Sequence, residues 1–223
     1  GLTQSASRGT LKDWDWGLGV NFMGPVYGVN TFVPRMLAHG QGAQIVTTTS
    51  TSGIVPNPAT GIYSVAKMAA VTLMEQLRAE LRETTIGTTC FVPGLTTSNI
   101  GQSENYRPDT LRNEQGAPPA AANAPAAGAA NPAARPASAA PSPYWARPQD
   151  PLVVGRVVLD GILHNDLFVV LQPEWRLGVE ARMTALLESM VPPLPFPDAM
   201  ELRNARYLRT PIYVQEIAHR RAT

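Results

Sequence analysis

Tyr63 and Lys67 stand four residues apart in an apolar, helix-patterned stretch, and Ser50 lies thirteen residues before Tyr63. Four residues is about one helical turn, so the phenol and the ammonium project from one helix face. Ser50 follows a strand-like run, Ala43-Gln44-Ile45-Val46-Thr47-Thr48. A strand end and the start of the next helix meet at one edge of a parallel sheet, where open α/β folds place their chemistry. A free phenol titrates near pH ~10. A neighbouring cation favours phenolate and is expected to bring Tyr63 toward working pH as a proton-transfer group. The plain alternative for Tyr63 and Lys67 alone is an exposed helix pair.

Two further features fall in line with these three residues. Asn21 precedes Pro25 by four positions inside a first helix-patterned stretch. Proline has no N–H to give the Asn21 carbonyl, which is left to kink the helix or to hold a water on a path toward Lys67 and Tyr63. Pro93-Gly94 closes the strand-like run Gly-Thr-Thr-Cys-Phe-Val.

The elements that must position these groups alternate. Periodicity predicts helices over 10–37 and 61–84, strands over 43–49 and 87–92, then a helix over 151–163, a strand over 167–171 and a helix over 174–190. Thr10 with Asp13 reads as a capping box, and Asp150-Pro151 as an N-cap followed by proline at the first helical position. Near-continuous apolar strands between helices predict a parallel α/β sheet covered on both faces. Ala117 to Pro143 is nearly all Ala, Pro, Asn, Gly and Ser, too poor in apolar surface to offset its ordering entropy. This divides the chain into 1–100, a low-complexity stretch 101–148, a helix–strand–helix unit 149–190, and a tail 191–223 that is helical around 198–206.

Composition narrows the function. The 223 residues are 44% hydrophobic and 16% charged, with a net charge of +1. That suits one sizeable globular domain and makes no electrostatic case for nucleic acid or a membrane surface. No apolar run reaches the ~20 residues that span a bilayer, and the first residues hold no apolar signal core. Cys90 is the single cysteine, expected in an apolar strand, and a reducing cytoplasm is the expected setting. His39, His164 and His219 lie far apart, with no second ligand at metal spacing. Asp13 and Asp15 read as first-turn helix charges. Trp14, Trp16, Phe22, Tyr27 and Phe32 read as core or subunit contact.

Asn21 in Val-Asn-Phe-Met-Gly, Ser50 in Thr-Ser-Thr-Ser-Gly, Tyr63-Ser-Val-Ala-Lys67 and Pro93-Gly-Leu-Thr-Thr-Ser98 occur in the order and spacing of the short-chain dehydrogenase/reductase family, which the chain resembles over about 10–100 and more loosely over 149–190. The resemblance implies a Rossmann-type three-layer sheet and NAD(P)-dependent interconversion of an alcohol and a carbonyl. It implies Tyr63 as general acid/base and Lys67 as the group that lowers its pKa and holds the nicotinamide ribose. Ser50 would polarise the substrate oxygen, and Asn21 would hold the relay water. Pro93, Gly94, Thr96 and Ser98 would lie at the nicotinamide end. It also implies a small-molecule substrate, NAD or NADP, and a homodimer or homotetramer through 10–37 and 61–84; the stretch 101–148 falls where the family carries its substrate loop. The family's TGxxxGxG turn and Asn-Asn-Ala-Gly strand end have no match. Gly17-Leu-Gly19 lies inside a helix and Gly40-Gln-Gly42 precedes a strand. The chain thus reads as N-terminally truncated, with a non-catalytic dimerising scaffold as the alternative function.

Overall fold

The computed structural model describes residues 4–114, 148–190 and 210–222. The expected helical piece around 198–206 and the stretch Ala117 to Pro143 lie outside them. Three parallel strands, β1 (Ala43–Thr48), β2 (Ile86–Val92) and β3 (Phe168–Val170), stand in the order β1-β2-β3. Ala43 pairs with Ile86, and Cys90 with Phe168. The α/β class expected from the alternating pattern is the fold observed.

The long helix expected over 10–37 is two helices joined by a wider turn. α1 (Leu11–Leu18) passes into a π-turn at Gly19–Met23, and α2 (Gly24–His39) continues beyond. Pro25 supplies the reason, since position 25 has no N–H to continue the i→i−4 ladder. α2 ends at Gly40, whose φ of 65° is the left-handed conformation glycine adopts freely. α1 begins on the expected capping box between Thr10 and Asp13.

α3 (Gly61–Glu80) lies between β1 and β2 in sequence, and α4 (Pro151–Leu163) between β2 and β3. Val71, Met74 and Leu77 of α3 pack with Cys90 and Val92, and Val29, Val33 and Met36 of α2 close that layer. Val154 of α4 packs on the other face, with Phe91 and Val169. Neighbouring strand residues point to opposite faces. The two crossovers therefore move the same way across the sheet over opposite faces and are of opposite hand. At most one of them keeps the right-handed rule of parallel crossovers.

Two further helices follow β3. α5 (Arg176–Glu188) runs past the β1–α3 loop, where Arg182 donates to the Ile54 carbonyl at 3.2 Å. α6 (Pro211–Ala222) is fastened to the outer edge of the sheet. The Leu167 N–H donates to Glu216 at 3.1 Å, and His219 and Arg220 each reach Asp166 at 3.0 Å.

Residues 101–114 open the stretch read as low in complexity, yet they fold back onto α1 through two short 3₁₀ turns. Arg107 is buried there, 2.8 Å from Asp13 and with its guanidinium 4.9 Å from the Trp16 ring centre. Asp13, expected as a first-turn charge, is also a buried ion-pair partner.

Candidate active site

The carboxyl ends of the strands gather the predicted residues. β1 ends at Thr48 and leads to Ser50, β2 ends at Val92 and leads to Pro93-Gly94, and β3 leads to Gln172. The Ser50 oxygen accepts from the Ser52 N–H at 3.2 Å and caps a 3₁₀ turn, Thr51–Gly53. That turn rests on α3 with no room to spare. A Cβ on Gly53 would stand 2.8 Å from the Lys67 carbonyl oxygen. α1 approaches the start of α3 as closely, since a Cβ on Gly17 would meet Ile62 at 2.6 Å. Ile62 is fully buried next to Tyr63. These two glycine contacts hold the Ser50 turn and α1 close against α3.

Tyr63 is buried and Lys67 half-buried. The Lys67 ammonium sits 5.5 Å from the Tyr63 ring centre and donates to the Thr48 carbonyl at 3.0 Å. Burial raises the Tyr63 pKa above its ordinary value, and the Ser50 hydroxyl opposes that rise. This departs from the expectation that Lys67 brings the phenol down. The ammonium lies over the ring and is turned to the Thr48 carbonyl. Burial in turn lowers the Lys67 pKa, with the Cys90 thiol acting against it.

Ser50, Tyr63, Lys67 and the end of β1 therefore form one cluster. Asn21 lies on the π-turn, which packs against α3, but its side chain donates to the Gly17 carbonyl at 3.1 Å. Pro93 and Gly94 are half-buried at the end of β2. Thr96 and Ser98 lie farther along and make local bonds. The Thr96 hydroxyl donates to the Gly94 carbonyl at 3.3 Å, and the Ser98 oxygen accepts from the Ile100 N–H at 3.4 Å. The spacing of the sequence missed the Thr48 carbonyl, which any residue type supplies. It also missed Gln172, whose amide nitrogen lies 2.7 Å from where a Gly94 Cβ would be.

Residues 1–109 match the model of the family described as short chain dehydrogenase. A Cα-dehydrogenase of Sphingobium sp. strain SYK-6 is 30% identical over 183 residues, 82% of this chain and 55% of that protein. The chain belongs to the short-chain dehydrogenase family. A short chain dehydrogenase/reductase from Burkholderia phymatum, solved with NAD, superposes with a TM-score of 0.68 at 25% identity, over 88% of this chain and 66% of that one. The apo form of LigO from the same Sphingobium strain gives a TM-score of 0.57 at 28% identity, over 98% and 61%. The chain thus spans about half the length of the first of these short-chain dehydrogenase relatives and just under two thirds of the two solved chains.

Proposed function

We propose that this chain carries the proton-transfer side of an NAD(P)-dependent oxidoreductase that interconverts an alcohol and a carbonyl on a small molecule. The observation that carries the reading is the buried Tyr63 phenol, set between Ser50 and the Lys67 ammonium at the carboxyl edge of the sheet. Relatives named as dehydrogenases and the NAD-bound Burkholderia structure support it.

Tyr63 gives its proton to the carbonyl oxygen in reduction and takes one from the alcohol in oxidation. Ser50 donates a hydrogen bond to the same oxygen and stabilises charge developing there. Lys67 favours the phenolate left behind. Asn21 holds a relay water through its backbone.

The residues present fit the nicotinamide end of NAD(P). Thr48 takes one of the three Lys67 N–H groups, leaving donors for the ribose hydroxyls alongside Tyr63. Pro93, Gly94, Thr96 and Ser98, at and beyond the end of β2, would hold the nicotinamide. When bound, the nicotinamide supplies or accepts the hydride. Among the described residues no Gly-x-Gly-x-x-Gly turn leads from a strand into a helix, so the pyrophosphate end has no counterpart in them.

Titration of the 223-residue chain with NAD(H) and NADP(H), followed by turnover on a panel of alcohols and ketones, tests the reading. Tyr63→Phe is expected to lower turnover by ~10²–10⁴-fold while cofactor binding persists; turnover retained by that variant overturns the role of Tyr63. A dimerising scaffold is the second reading. It is favoured by Tyr27 and Phe32, 63% and 53% exposed on α2. A stable dimer or tetramer that binds neither cofactor would support it.

A further inference from the structure

A cavity of about 760 Å³ lies between α3, β3 and α5, apart from Ser50, Tyr63 and Lys67. We propose that it binds an apolar small molecule about the size of two aromatic rings, bearing one carbonyl oxygen. Its volume falls within the ~300–1,000 Å³ of small-molecule sites, which pair an apolar lining with a few placed polar groups. Met68 and Val71 of α3, Phe168 and Val170 of β3, and Trp175 and Val179 give the apolar wall.

The polar group that recognises the oxygen is Gln172. The residue is 2% exposed and lines the cavity. Its Oε1 accepts from the Trp175 indole N–H at 3.1 Å. An indole nitrogen only donates, so the orientation of the amide is fixed and the other atom is the nitrogen. That nitrogen has no partner among the described residues. An amide nitrogen only donates, and a carbonyl oxygen in the cavity supplies it with an acceptor. Across the cavity the Tyr213 hydroxyl donates to Glu75 at 3.0 Å, a pair already satisfied. Gly53 and Ile54 also line the wall, so an occupant touches the Ser50 turn from behind.

Benzophenone is a suitable probe, read by tryptophan fluorescence of the whole chain and by its thermal midpoint. Saturable quenching with a rise in midpoint is expected. Trp175→Phe should remove most of the fluorescence response. Gln172→Leu keeps the bulk and deletes the donor, and should weaken binding by about 2- to 10-fold. Met68→Trp should fill the cavity and abolish binding, and Tyr63→Phe should leave the affinity unchanged. Three results overturn the proposal: no saturation up to the solubility limit of the probe, affinity unaltered in both Gln172→Leu and Met68→Trp, or binding lost in Tyr63→Phe. The last would place the probe in the proton-transfer site, so this test stands apart from the test of catalysis.

Discussion

Replacing Gly53 by alanine adds a methyl group whose carbon would stand 2.8 Å from the Lys67 carbonyl oxygen, 3.0 Å from its carbon and 3.2 Å from the Val71 side chain. The first two are backbone atoms in the middle of α3 and do not rotate away. The turn must give instead, and Ser50 moves with it because the Gly53 N–H donates to the Ser50 carbonyl at 2.8 Å. Forcing a carbon into a packed site costs about 1–3 kcal/mol. Alanine recovers about 0.4–1 kcal/mol by restricting the unfolded chain. The net loss, from about zero to about 2.6 kcal/mol, lowers the thermal midpoint by up to about 10 °C in a chain this long. Gly28, inside α2, is the control, since its added Cβ meets nothing within 4 Å. Gly28→Ala should raise the midpoint by removing a helix-interior glycine. A spectrophotometric tyrosine titration, with Tyr63→Phe subtracted, then reads the site. Ser50 opposes the rise of the Tyr63 pKa, so displacing Ser50 should raise it further. A Gly53→Ala variant as stable as the parent, with an unchanged Tyr63 titration, refutes the claim that this contact positions Ser50.

Three other outcomes follow from the same structure. The raised Tyr63 pKa leaves the phenol protonated at neutral pH. Reduction should therefore run at neutral pH and decline in alkali, whereas oxidation should climb as pH rises beyond ~10; an oxidation rate flat from pH 8 to 11 would contradict this. Burial pushes the Asp13 carboxyl up, but the Thr10 amide, Arg107, the Thr10 hydroxyl and Asn113 together hold it below its ordinary value. Its contribution to stability is present above pH ~4 and lost as pH falls through the lower folded-state value, so Asp13→Asn should flatten the acid limb of a stability–pH curve. Burial pushes the Cys90 thiol up to about 11, and iodoacetamide at pH 8 should leave it unmodified until the chain unfolds.

The sequence reveals most where a residue's type and spacing carry the meaning. Tyr63, Lys67 and Ser50 meet because one helical turn and one strand end bring them together, and both elements show in the hydrophobic pattern. Cys90 is fully buried in β2, as its apolar run predicts. Contacts decided at long range were hidden. Arg107 sits in a polar stretch with nothing local to say that it buries against Asp13 and Trp16, ninety or more positions earlier. The direction of the Tyr63 shift was hidden as well, because spacing places a cation nearby but does not tell how much water the fold removes from the phenol. The π-turn at Gly19–Met23 lay between these cases. Pro25 announces a broken hydrogen bond, while its absorption by a wider turn depends on packing against α3.

The opposite-handed crossovers bear on how the molecule assembles. Ala43 meets Ile86 across 43 positions, whereas Cys90 meets Phe168 across 78. Loop-closure entropy grows with separation, and distant pairings form more slowly. The β1–α3–β2 unit, which holds Ser50, Tyr63 and Lys67, is therefore expected to close first, with β3 and α4 following. Ser50, Tyr63 and Lys67 lie in the unit with the shorter closure, and the Gln172 wall comes with the longer one. Weakening α4 should thus slow completion of the cavity before it disturbs the cluster around Tyr63.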